Sequence, residues 1–261
     1  MILNTSDGKK IYYQTYGETG SPAVILIHGI GADHNMFGPQ VETFVKEGYF
    51  VIAPDMRGHG ESSKVTTLEL EDWVRDLKEL MEQQKIEKSV LLGVSMGGVI
   101  VQKFITKYPD KVKKVVICDS FGELKTFTEK ALGFGQVFGF KLFHYLPRKM
   151  TAKLIASTYK NLSKEAKAYF EEVSFHVDYK QLVLARKAIN KIDVLSELEN
   201  IEVPSLVLVG NKVDLMVRAN RKIAEKLQNS SLKVIKGSLD PSNLVAPEKF
   251  NQEVLTFLAK K

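Results

Sequence analysis

Cysteine is almost missing from this chain: Cys118 is the only one among 261 residues. No disulfide can close within it, and a reducing, cytoplasmic setting is the expectation. No apolar run approaches the ~20 residues that cross a bilayer, so no membrane span is expected. The opening residues, MILNTSDGKKIYY, lack a basic stretch followed by a long apolar one, which argues against a secretory signal. Blocks of like charge are missing too. The net charge is +6, and lysines read as interspersed with Glu and Asp. Without a reading motif, such a balance gives no nucleic-acid partner. Repeats and low-complexity linkers are absent. What remains is an ordinary globular composition, 44% hydrophobic and 26% charged, sufficient for a large core.

Short runs rich in β-branched residues recur at 10–16, 23–29, 49–55, 89–95, 114–120, 205–211 and 232–237. From the third onward they are continuously apolar, the mark of strands in a sheet covered on both faces. Helical patterns lie between them. Thr66 and Glu69 read as a capping box, followed by Leu70, Trp73, Val74, Leu77, Leu80 and Met81 at helical spacing as one buried stripe. The alternation predicts an α/β fold with a mostly parallel sheet and ligands at the C-terminal strand ends. Strand signals then stop between Ser120 and Pro204. A gap of about eighty residues is too long for a loop and reads as an inserted helical cap. Phe121, Phe127, Phe134, Phe138, Phe140 and Phe143 in its first part are expected to pack cap against core, to wall an apolar pocket, or both.

The stretch LLGVSMGGV (91–99) holds G-x-S-x-G as Gly93, Val94, Ser95, Met96 and Gly97. An apolar strand precedes it and a helical pattern ending before Pro109 follows, the context in which a sharp turn exposes a nucleophilic hydroxyl. Gly93 and Gly97 would let strand and helix approach closely. In LIHGIGADHNMF (26–37), His28 and Gly29 end a strand and Gly31 frees the loop for unusual dihedrals. The backbone N–H of Ile30 and that of Met96 are the candidate pair for holding an oxyanion, each worth roughly 3 kcal/mol on the barrier. His28 is expected to fix that loop rather than to catalyse. In DMRGHGESS (55–63), Asp55, Arg57, His59 and Ser62 suggest a buried charge network bracing the site.

In this order of motifs, HGIG, DMRGHGES, GVSMGG, a cap and VPSLVLVGNKVD, the chain resembles the α/β-hydrolase fold superfamily, in its capped esterase, lactonase and carbon–carbon hydrolase branch. The resemblance covers nearly the whole chain. It implies a core of residues 1–120 and 204–261 interrupted by a helical cap at 121–203. It also implies an ester hydrolase with Ser95 as nucleophile and no metal or organic cofactor. The ligand would be a small, largely apolar molecule, guessed from the phenylalanine-rich cap; the oligomeric state is left open. Asp214, after the strand that follows the cap, matches the place of the orienting acid, with Asp119 as the fallback.

One departure stands out. The family carries its proton-shuttling histidine on the loop after the last strand, ahead of a P-E-x-F helix start. Here Pro247, Glu248 and Phe250 keep that register, and counting back puts Leu239 and Asp240 where Gly-His would stand. Three readings follow: another histidine (His34, His144 or His176) reaches Ser95; Asp240, close to Asp214, acts as a weak base or shares a cation with it; or the hydrolytic machinery is impaired. In the last case the pocket serves binding, signalling or a different, non-hydrolytic reaction. A lost triad member costs on the order of 10⁴–10⁶ in turnover.

Overall fold

The apolar runs pair into one sheet, joined at its edge by an eighth strand. The computed structural model describes residues 1–260. Its strands are β1 (Ile2–Asn4), β2 (Lys10–Tyr16), β3 (Ala23–Ile27), β4 (Phe50–Pro54), β5 (Ser89–Val94), β6 (Val112–Cys118), β7 (Ser205–Gly210) and β8 (Ser230–Ile235). They lie in the order β1-β2-β4-β3-β5-β6-β7-β8, with β2 antiparallel to both neighbours and the rest parallel. β3, β4, β5 and β7 are buried along their whole length, as unbroken apolar runs between two helical layers require. β1 was not expected from the sequence: of its three residues only Leu3 is buried, which leaves no alternation to read.

Helices α1 (Gly38–Lys46), α2 (Leu70–Gln83) and α3 (Met96–Lys107) link the strands of the first half. Between β6 and β7 come α4 (Phe127–Phe143), α5 (Arg148–Ser157), α6 (Lys164–His176), α7 (Tyr179–Ile189) and α8 (Leu195–Leu198). The chain continues through α9 (Asp214–Lys226), α10 (Ser242–Val245) and α11 (Pro247–Leu258). Trp73, Leu77, Phe104 and Ile223 fill the core on one face of the sheet. Phe37, Phe44, Phe250 and Val254 fill it on the other. All six residues of the expected stripe on α2 are buried, but the helix starts later than Thr66. Asp72 Oδ2 accepts from the Glu69 backbone N–H at 2.9 Å, so the cap lies at Glu69 and Asp72.

The five helices between β6 and β7 leave and rejoin the sheet at one place. Val194 N–H donates to Gly122 O at 3.0 Å, and Glu123 and Asp193 form a β-bridge. α4 packs on α7, and α5 on α6. The phenylalanines of this segment divide in a way the sequence did not suggest. Phe121 is buried, Phe140 and Phe143 meet the ring of Tyr179, and Phe127, Phe134 and Phe138 are exposed. Of the last three, none packs cap against core or walls the cavity described below.

Candidate active site

Ser95 stands between β5 and α3 with φ 54° and ψ −112°, a conformation costly for a side chain with a Cβ. The surroundings hold it there. Its backbone N–H donates to Cys118 O at 2.8 Å, and Ser120 Oγ donates to its carbonyl at 2.9 Å. Ser120 is in turn fixed by Asn220, whose side chain accepts from Ser120 N–H at 3.1 Å and donates to Ser120 O at 2.8 Å. The glycine at 97 is obligatory for the approach of helix to sheet, because a Cβ there would overlap Ile27 O.

Facing the serine across the sheet end is Asp240. Ser95 Oγ donates to Asp240 Oδ2 at 2.8 Å, the one hydrogen bond the hydroxyl makes among the described residues. Asp240 lies beneath the cap with one edge open to a cavity of about 240 Å³. Tyr159 of the cap donates to its backbone carbonyl at 3.1 Å. Burial, followed by the like charge of Asp119, pushes the Asp240 carboxyl up to about 8. The Ser95 hydrogen bond and the Arg186 guanidinium pull the other way.

Asp119 is buried at the end of β6, itself in a left-handed conformation (φ 49°). Its Oδ1 accepts from Gly210 N–H at 2.8 Å and its Oδ2 from Ser242 N–H at 2.7 Å. These bonds fix its orientation and tie β6 to the loop that carries Asp240. Burial raises its proton affinity as well. Two buried carboxylates that repel each other titrate as a pair and favour holding one proton between them.

Asp214 is not part of this cluster. It is exposed in the first turn of α9 and makes no side-chain hydrogen bond or ion pair among the described residues. The helix directs its side chain to solvent, and the acid next to residue 240 is Asp119. The imidazoles are elsewhere too. His28 Nε2 accepts from Met56 N–H at 3.0 Å, so its Nδ1–H donates to Gly29 O at 2.7 Å and fixes the loop before Ile30. Burial keeps that ring neutral. His34 Nδ1 meets Asp55 Oδ1 at 2.8 Å and its Nε2 faces Gln14. His144 packs against Tyr145, and His176 is exposed at the end of α6. None hydrogen-bonds Ser95.

The loop 28–31 turns through Gly31 at φ 73° and presents Ile30 at the cavity wall, with Gly29 packed beside Ser95. Neither the Ile30 nor the Met96 backbone N–H has an acceptor among the described residues. Behind the loop, Asp55 accepts from the backbone N–H of His34 at 2.7 Å and of Glu61 at 2.8 Å. Arg57 is paired with Asp76 and Asp7.

Arg186, on α7, carried no signal in the sequence. It is buried, lies 5.3 Å over the Phe121 ring, and forms no ion pair among the described residues; its Nε has no acceptor. Burial lowers its proton affinity to about 10, with Asp240 opposing that change.

Ser95 on its tight turn, the Asp240 carboxyl that accepts its hydroxyl and the two unpartnered backbone N–H groups of Ile30 and Met96 adjoin one cavity. The family model of the alpha/beta hydrolase fold matches residues 22–247. The chain belongs to the alpha/beta hydrolase fold family. It is 25% identical to 3-oxoadipate enol-lactonase 1 of Acinetobacter baylyi, over 97% of this chain and 94% of that protein. It is 24% identical to the bifunctional esterase/perhydrolase DCH of Acinetobacter calcoaceticus, over 98% of each. Among solved structures, the esterase EaEST from Exiguobacterium antarcticum superposes with a TM-score of 0.88 at 23% identity, covering 99% of both chains. These relatives on the alpha/beta hydrolase fold are hydrolases. No helix among the described residues is long and apolar enough to cross a membrane.

Proposed function

We propose that this protein hydrolyses small, largely apolar carboxylic esters, with Asp240 doing the proton transfer that a histidine performs in other members of the family. The observation that carries this reading is the 2.8 Å hydrogen bond from a strained Ser95 hydroxyl to Asp240. An ordinary aspartate, with a pKa near 3.9, is too weak a base for a serine proton. Burial and Asp119 move Asp240 to about 8, into the range where a general base works near neutral pH.

The steps follow from the geometry. Ionised Asp240 takes the Ser95 proton as Oγ bonds to the ester carbonyl carbon. The carbonyl π electrons move to oxygen, and the oxyanion lies against the N–H groups of Ile30 and Met96. Collapse breaks the C–O bond to the leaving alcohol, which receives the proton from Asp240. Water then attacks the acyl-serine, losing a proton to Asp240, and the acid departs as Ser95 regains its proton. Burial first and the like charge of Asp119 second raise Asp240's proton affinity, and the cap side of the cavity, through Phe140, Ile155 and Phe170, receives the apolar part of the ester.

This predicts an alkaline pH profile. Hydrolysis of p-nitrophenyl acetate should rise through about pH 8, and labelling of Ser95 by a fluorophosphonate should follow the same curve. A rate already at its plateau at pH 6, or labelling indifferent to pH, would end the proposal. A second prediction isolates Asp119. Asp119→Asn removes the like charge, so the midpoint should move to lower pH; an unmoved midpoint assigns the shift elsewhere.

One observation favours a second reading. A group with its midpoint near 8 holds its proton at pH 7 in roughly nine molecules of ten, so the hydroxyl is then mostly unactivated. At neutral pH the cavity would serve ligand binding. Tight binding of an apolar ester without turnover at any pH from about 6 to about 10, roughly two units either side of the Asp240 midpoint, selects this alternative.

A further inference from the structure

The charge on this chain is not evenly spread. From Lys130 to Lys164 there are seven Lys and Arg and no Asp or Glu, so this one segment exceeds the net charge of +6 for the whole protein. The remainder carries a slight negative excess. Lys130, Lys141, Lys149, Lys153, Lys160 and Lys164 are all exposed, and none forms an ion pair among the described residues. Arg148 is occupied otherwise, donating to Val177 O and covering the Tyr179 ring.

Most of the protein's exposed large apolar side chains fall in the same stretch, between Phe127 and Leu154. Phe127 is 88% exposed, Tyr145 82%, and Phe134 and Phe138 each 69%. On α4, Glu129, Gly133 and Val137 face inward toward the packing with α7. Phe127, Phe134, Phe138 and Leu142 repeat at seven- and four-residue intervals on the opposite side, forming one outward stripe, with exposed Tyr145 just past the helix end. Lys130 and Lys141 lie along one flank of it. An apolar stripe left in water is costly and marks a docking surface.

We propose that this outer face of α4, flanked by Lys130 and Lys141, docks on the surface of an anionic phospholipid bilayer. The chemistry fits such a surface at two depths. Phenylalanine and leucine side chains enter the acyl boundary, while lysines keep their stems on apolar groups and their ammonium heads at the phosphates. The acid-free segment adds attraction to the negative leaflet, which falls within a Debye length and is weakened by salt. The inner side of the same helix contributes Gln136 and Phe140 to the wall of the Ser95 cavity. Docking would therefore set the α4 wall of the Ser95 cavity against a lipid interface. The proposal concerns binding and holds whether or not Asp240 acts as a base.

The test uses the full-length protein and vesicles of phosphatidylcholine with or without phosphatidylglycerol, in cosedimentation without any substrate. Binding should be at least about tenfold tighter to the anionic vesicles at low salt and should fade at high salt. Phe134→Ser with Phe138→Ser should abolish it. Lys130→Glu with Lys141→Glu should remove the preference for anionic lipid. Neither set lines the cavity, so turnover of a water-soluble ester should be unchanged, which also reports that the variants fold. Absence of binding by the unaltered protein would overturn the proposal, as would binding that the substitutions leave intact. So would a stable dimer in ultracentrifugation that the phenylalanine variant dissociates, because a second copy would then cover the face.

Discussion

Replacing Leu239 by Gly and Asp240 by His is expected to raise p-nitrophenyl ester turnover at pH 7 by at least about a hundredfold, the lower bound for a well-placed general base. Three features of the site lead there. Position 240 already brings a side-chain atom to 2.8 Å from Ser95 Oγ, so an imidazole attached at the same backbone starts within reach. Asp119 is held by two backbone amides, from Gly210 and Ser242, and needs no rearrangement to face a ring at 240. Its charge changes meaning with the substitution. Beside a carboxylate it opposes ionisation, whereas beside an imidazole it stabilises the cation formed when the serine proton arrives.

Leu239 matters because it packs partly buried against the core on the α1 and α11 face. A glycine there frees the loop to accommodate the larger ring, so Asp240→His alone should gain less. Adding Asp119→Asn to the histidine variant should erase most of the gain, since the imidazolium then has no anion beside it. A folded histidine variant, judged by circular dichroism, that turns over ester no faster than the parent would show that the loop does not aim residue 240 productively.

Much of this site could be read from the chain before any geometry was known. Ser95 and its glycines announced themselves because a strand-to-helix turn of that sharpness admits few residue types. Asp240 could be placed by counting back from Pro247, Glu248 and Phe250, since a helix start fixes the register of the loop before it. The acid could not be chosen in the same way. Asp119 and Asp214 both follow apolar strands, and the difference between them depends on strand order. β6 lies directly beside β5, so Asp119 emerges next to Ser95, while Asp214 is swept into the exposed first turn of α9. Sheet order depends on pairings across long stretches of chain, which local patterns do not record.

The helices between β6 and β7 fall where strand signals are missing from the sequence, but their orientation was not legible there. Phe127, Phe134, Phe138 and Phe140 look alike in sequence, yet Phe140 reaches the cavity and the others face outward. Helical spacing sorts them into faces only once the inward face is known, and Glu129 on that inward face hides it. Arg186 shows the same limit: nothing in ARKAIN separates a buried guanidinium from a surface one. Sequence patterns locate groups that shape the backbone more readily than groups whose surroundings decide their role.

The cost of keeping Asp240 under the cap should be visible as stability that falls with pH. In the unfolded chain its pKa returns to near 3.9, whereas in the folded protein it is raised to about 8. The group's favourable contribution is therefore complete below about pH 4 and is lost as pH rises through about 8, because the unfolded chain releases the proton more readily. A shift of this size would be worth about 6 kcal/mol at 1.36 kcal/mol per unit, and the edge open to the cavity reduces that to about 3 kcal/mol. Asp240→Asn keeps the shape, accepts the Ser95 hydroxyl through its carbonyl oxygen, and never ionises. At pH 9 it should melt about 6–10 °C above the parent, and at pH 4 the two should nearly coincide. Asp119 titrates in both proteins, so the difference between the two melting curves isolates residue 240 and its coupling to Asp119. A gap that stays constant from pH 5 to pH 9 would mean that Asp240 is ionised throughout, and the carboxylate would then be an ordinary one, too weak a base for the serine proton.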